Sequence, residues 1–164
     1  MNADQITAAR VWTKCRRYEE FHVGQSFTHH WGRTILESDA ITFTTLTLAF
    51  VPLYFNREYA RAHGHPDIVV NPLLVLNTVL GMSVQDCSEG GGFFLGLRDL
   101  IYHAPVYPGT TITARSETIE VRPSSSRPQY GVVTWRTRGF DGERCVLSFI
   151  RSNLLQRNAG GKSP

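Results

Sequence analysis

Asn71-Pro-Leu-Leu-Val-Leu-Asn-Thr-Val-Leu-Gly-Met-Ser-Val-Gln-Asp-Cys-Ser88 reads as one buried helix. Asn71 can accept a backbone N–H as an N-cap, and Pro72 suits the first helical position, where its missing donor costs nothing. Leu73, Leu76, Leu80 and Val84 fall on one face, and Leu74, Val75, Val79 and Met82 make the opposite side apolar as well. A helix apolar nearly all round belongs inside something. Gly90-Gly91-Gly92 stops it, and in a short chain only a sheet can wrap it.

The rest of the chain supplies that sheet. At 164 residues and 41% hydrophobic, it is long enough for one domain with a sizeable core. Downstream of the helix come four strand-like runs, Phe93 to His103, Thr110 to Arg122, Tyr130 to Phe140 and Glu143 to Gln156, the last two joined by a tight Asp141-Gly142 turn. In the second run Ile112 and Ala114 share one parity and Ile119 and Val121 the other, which predicts a bulge between them. Upstream, Gly24 to Leu36 suggests a first strand, Ser38-Asp39 a cap for a helix from Ile41 to Leu48, and Asn56 to His63 a short helix ended by Gly64. Residues 1–17 read as a poorly ordered or helical leader, 18–157 as the domain, and 158–164 as a disordered tail. Strand, helical segments, one long buried helix and then an antiparallel meander describe an α+β hot-dog domain, a curved sheet around a central helix.

Composition narrows the function classes. Seventeen basic against fourteen acidic residues give a net charge of +3, with the basic residues scattered, which suits an anionic small ligand and gives no case for nucleic acid. Three widely spaced cysteines without a C-x-x-C pattern argue against a disulfide framework or a zinc site and suggest a reducing cytoplasm. The longest apolar run, Leu48 to Phe55, is too short to span a bilayer, so no membrane role is expected.

Several stretches resemble the MaoC-like dehydratase family of hot-dog proteins, nearest its mesaconyl-CoA and methylmalyl-CoA hydratase branch. They are Tyr18 to Gln25, Gly32 to Asp39, Phe43 to Thr47, Pro52 to Ala60, Gly81 to Asp86 and Ser126 to Pro128. The resemblance implies a homodimer or heterodimer with another hot-dog subunit. It implies an acyl thioester of coenzyme A or acyl carrier protein as substrate, hydration or dehydration of an α,β-unsaturated thioester, and no cofactor. It also implies an Asp and a His in a pattern like G-D-x-N-P-x-H, and a backbone N–H at the start of the central helix that holds the thioester oxygen. Here the family Asp falls on Ala49, the Asn on Val51 and the His on Tyr54, while the Gly that supplies the N–H falls on Pro72, which has none.

The candidates that remain are few. Tyr54 can donate a hydrogen bond or proton to a developing enolate, or fill the space of the family His. Asn71 can orient a thioester carbonyl or serve simply as the cap, and the Leu73 or Leu74 N–H can replace the donor lost at Pro72. His65 and Asp67, just upstream, are candidate substitute bases. With His63 they form a weak metal pattern, read here as a solvated loop, so no metal is assigned. Ser126 and Arg127 suit a phosphate of the thioester carrier, or belong to an ordinary polar hairpin loop. Asp86, near the helix end, reads as a polar partner; of His29 and His30 at most one can face inward; Cys145 reads as packing. The expectation is an acyl-thioester hydro-lyase or a chemically diverged relative; the alternatives are a non-catalytic hot-dog subunit shaping the acyl tunnel of an active partner, or a thioester-binding module without turnover.

Overall fold

The computed structural model describes residues 15–158. Most of the expected leader and tail lies outside them. Arg16 and Arg17, assigned to the leader by sequence, join the body: Arg16 donates to the Asp86 carbonyl at 3.1 Å, and Arg17 to the Gln156 side chain.

Helix α3, Pro72–Cys87, begins as expected, with the Asn71 side chain accepting the Leu73 N–H. Around it lie β1 (Ser26–Thr28), β2 (Arg33–Thr34), α1 (Glu37–Leu46), α2 (Arg57–Ala62), β3 (Gly92–Tyr102), β4 (Thr111–Pro123), β5 (Tyr130–Asp141) and β6 (Arg144–Gln156). The strands form one antiparallel sheet in the order β1-β4-β5-β6-β3, with β2 beside β1 on the same edge of β4. The four long strands match the predicted runs, but they are not a simple meander. β3 crosses the sheet to pair with β6 and leaves its other edge without a neighbour among the described residues.

Alternation builds the inner face. Ile112 and Ala114 of β4 and Leu147 and Phe149 of β6 pack against Val75 and Val79 of α3. The predicted bulge in β4 sits between Thr118 and Glu120. β3 carries two further irregularities against β6, between Phe94 and Gly96 and between Arg98 and Ile101. On β5 the helix comes closest at Gly139, where an added Cβ would stand 2.6 Å from Val79 Cγ2.

Three expectations need correction. α3 is not buried all round: its covered residues are Val75, Thr78, Val79, Ser83, Asp86 and Cys87, while Leu73 is 52% exposed and Leu74, Leu76 and Leu80 are half-buried. One sheet covers one side of a helix, so the leucine face looks away from it. The predicted first strand is broken in two, because Trp31 adopts a positive φ of 67° between β1 and β2. α1 starts at Glu37, not after Ser38-Asp39; Asp39 sits in the third helical position and accepts the Leu36 N–H at 2.9 Å.

Candidate active site

A cleft of about 280 Å³ opens at the N-terminal end of α3. One wall is the turn Pro52–Tyr54, the floor is Val69 to Val75, and the other wall is the end of β3 with Tyr102 and His103. Two backbone hydrogen bonds hold the floor in place, Val69 N–H to Leu53 carbonyl at 3.0 Å and Val70 N–H to Val106 carbonyl at 2.9 Å. Tyr54 lines this cleft, with Tyr102 in the opposite wall. Burial, and then the neighbouring Tyr54, raise the Tyr102 phenol above its ordinary value. It is protonated at neutral pH and offers a hydrogen-bond donor.

The helix mouth itself offers less than expected. The Leu73 N–H is taken by Asn71 Oδ1 at 2.9 Å, and the Leu74 N–H by the Asn71 carbonyl at 2.9 Å. Neither amide is open to an oxyanion, and Pro72 has no donor. Asn71 is 3% exposed and spent on this cap. The positive end of the helix dipole still points at the cleft, so the field survives although the donors are used.

His65 and Asp67 do not reach the cleft. The His65 Nδ1 pairs with the Tyr107 hydroxyl at 3.0 Å. Asp67 accepts from Arg57 Nε at 2.7 Å and from the Ile68 N–H at 2.7 Å, and the Arg57 hydrogen bond above all holds its carboxyl below the usual range. His63 turns to the Tyr59 carbonyl at 2.8 Å, so the three candidate ligands face three separate partners. Ser126 and Arg127 lie in the β4–β5 turn, where the Arg127 guanidinium sits 5.6 Å from the Phe93 ring centroid at the far end of β3. Tyr102 lies nine positions along the strand from Phe93, about 30 Å at 3.3 Å per residue, so this loop is remote from the cleft of its own chain.

At the other end of α3 lies a polar cluster that the sequence only hinted at. His29 and Asp86 are fully buried and joined at 2.6 Å through Nδ1 and Oδ2. Burial lowers the His29 pKa, which keeps the imidazole neutral: Nδ1–H donates to Asp86, and Nε2 accepts from Ser116 Oγ at 2.8 Å. Ser116 is bonded in turn to Thr137 at 2.8 Å, and Arg16 approaches Asp86 Oδ1 at 3.5 Å. Arg151, equally buried, donates to the Ser83 carbonyl at 3.2 Å beside Cys87, whose thiol burial pushes up to about 11. The histidine alternation fits: His29 points in, as only one of the pair can. The Ser116–His29–Asp86 chain resembles a nucleophile relay in connectivity, but Ser116 is 3% exposed and its oxygen already engaged with Thr137. It is a structural network.

The profile of the mesaconyl-CoA hydratase family matches residues 3–162. Over 142 residues the chain is 36% identical to a mesaconyl-CoA hydratase of Haloarcula marismortui, a match covering 85% of this chain and 40% of that protein. A putative MaoC domain protein dehydratase of Chloroflexus aurantiacus superposes with a TM-score of 0.82 at 27% identity, over 91% of this chain and 43% of that one. A double hot-dog protein of Mycobacterium tuberculosis superposes with a TM-score of 0.79 at 23% identity, over 91% of this chain and 46% of that one, which supports the fold. The chain thus spans about two fifths of the length of the curated relatives it matches. With the hot-dog sheet, the central helix and a profile match along nearly its whole length, the chain belongs to the mesaconyl-CoA hydratase family.

Proposed function

We propose that the chain is one hot-dog unit of a hydro-lyase acting on acyl-CoA thioesters, at the cleft between Tyr54 and Tyr102. The observation that carries this is the pair of phenols at the positive end of the central helix, in a chain whose family is named for a CoA hydratase. In the hydration direction the water oxygen bonds to the β-carbon as one of its O–H bonds breaks, and the C=C electron pair moves through the α-carbon onto the thioester oxygen. The proton the water released ends on the α-carbon as the thioester C=O is restored, so that H and OH have been added across the double bond. Tyr54 donates a hydrogen bond to that oxygen while it carries negative charge, assisted by the helix dipole. An acyl-carrier-protein thioester presents the same reacting atoms.

A specific observation favours a second reading. The cleft is lined by no carboxylate, and its single imidazole, His103, is bonded to Ser148 at 2.9 Å. A chain so equipped serves equally as a non-catalytic unit that shapes the acyl tunnel for an active hot-dog partner. Either reading needs a second unit, a copy of this chain or a different hot-dog chain. The free edge of β3, with Phe93, Phe94 and Leu95 each more than half exposed, is the surface we assign to it. Ser126 and Arg127 would then meet the phosphates of a thioester carrier seated in the neighbouring unit. Among the described residues no helix is long and apolar enough to cross a membrane, and all three cysteines are unpaired, which supports a reducing compartment such as the cytoplasm.

The test is a mass-spectrometric assay of the purified chain with crotonyl-CoA, mesaconyl-CoA and 3-hydroxyacyl-CoA thioesters, with and without a second hot-dog protein carrying the Asp/His pair. Water gain or loss by the chain alone, dependent on Tyr54, establishes the enzyme. Activity only in the mixture, unaffected by Tyr54→Phe, leaves the tunnel-shaping unit.

A further inference from the structure

A larger hollow than the helix-mouth cleft lies elsewhere, on the face of the sheet turned away from α3. β3 loses its register with β6 between Arg98 and Ile101, and Asp99 takes a positive φ of 53° there. Beside this bulge a groove of about 480 Å³ opens, against about 280 Å³ for the helix-mouth cleft. Arg136 and Arg138 of β5 and Ser148 of β6 point into it, of opposite parity to the residues that pack on the helix. Ile101, Phe140 and Ile150 supply an apolar floor.

Its charge balance is uneven. Asp99, the carboxylate at its edge, is neutralised by Arg98 at 2.6 Å. Arg136 is steadied by Glu117 at 3.3 Å. Arg138 is exposed and has no carboxylate partner among the described residues. His103 Nε2 fixes the Ser148 hydroxyl at 2.9 Å, and Arg115 lies 4.9 Å from the Phe140 ring centroid at the far end. An unpaired guanidinium fork, a second guanidinium and an ordered hydroxyl over an apolar floor suit an anionic head on an apolar body. The volume lies within the range of small-molecule sites. Two planar guanidinium forks and a hydroxyl offer more donors than the two oxygens of a carboxylate can use, and match the oxygens of a phosphate.

We propose that this outer groove is a second ligand site, sharing only His103 with the lining of the helix-mouth cleft, that takes a phosphomonoester carried on an aromatic or aliphatic body. Arg138 holds the phosphate, Ser148 and Arg136 orient it, and Phe140 and Ile150 contact the body.

The test is a titration of the full, isotope-labelled chain with phenyl phosphate, followed by amide chemical shifts, with inorganic phosphate and phenylacetate as comparison probes. The expected result is saturable shifts at Ile101, Arg138 and Ser148. Affinity should fall roughly tenfold or more in Arg138→Ala, fall less in Ser148→Ala, and stay unchanged in Arg61→Ala, a surface arginine on α2. Absent or non-saturable shifts, equal affinity in Arg138→Ala, or shifts centred on Tyr54 and Tyr102 overturn the proposal. Equal affinity for phenylacetate overturns the phosphate assignment, and equal affinity for inorganic phosphate overturns the role of the floor.

Discussion

At its N-terminal end α3 meets a cleft of phenols and apolar side chains open to solvent. At its C-terminal end, sixteen residues and about 24 Å further on, it meets a sealed network of His29, Asp86, Ser116 and Arg151. The first end holds polar atoms a ligand can reach; the second holds polar atoms shut away from solvent. Connectivity alone does not make a constellation reactive; access to a ligand does. Ser116, His29 and Asp86 look like machinery and are framework, while a pair of tyrosines with no relay behind them occupies the accessible site.

The largest effect should come from cutting the sealed end. Asp86→Ala leaves the buried histidine N–H without its acceptor and Arg16 without its carboxylate and should cost about 2–3 kcal/mol, read from denaturant unfolding. A loss under about 1 kcal/mol would show that the network is dispensable. At the open end Tyr54→Phe should lower hydration about a hundredfold, if the chain turns over alone, with the unfolding midpoint unchanged. A parallel loss of stability would move Tyr54 to the framework side of the comparison. Between the ends, Gly139→Ala forces a Cβ against Val79 and should cost about 1–3 kcal/mol. Adding Val79→Ala should cost less than the sum of the two single changes, because it vacates that space.

A smaller effect is set by pH. The His29 pKa is depressed by burial, so below about 6.5 the unfolded chain binds a proton that the folded chain refuses. Stability is therefore full above that pH and declines as the pH falls toward the folded-state value. His29→Gln should flatten this slope, measured as unfolding free energy from pH 7.5 to 5. The smallest change is expected from Asp67→Asn. That ion pair with Arg57 is more than a third exposed on both sides, so its loss should cost less than about 1 kcal/mol and leave turnover intact. A large loss of turnover would instead restore Asp67 as a base.

The fold was legible because its strongest signals are local. Asn71-Pro72, Asn56, the Asp141-Gly142 turn and the parity switch after Ala114 each declare a cap, a turn or a bulge within a few residues. What stayed hidden is non-local. Nothing within β3 tells that it pairs with β6 instead of β4, and the leucine face of α3 reads as core because periodicity cannot say how many sides are covered. At the site, Tyr54 could be placed through the family pattern, but Tyr102 and His103 reach the same cleft only through the crossover of β3. The Asn71 cap was readable; that it consumes the Leu73 donor follows from geometry that residue types do not carry.

The irregularities of β3 bear on how the molecule associates. A straight, apolar eleven-residue edge would accept any extended chain and template its own growth. Two interruptions of register, at Gly96 and at Asp99, break the line of free amides and carbonyls into short, differently angled segments. Only a strand with matching breaks can zip along the whole of it. An edge interrupted in this way is a poor template for the open-ended stacking that leads to fibres.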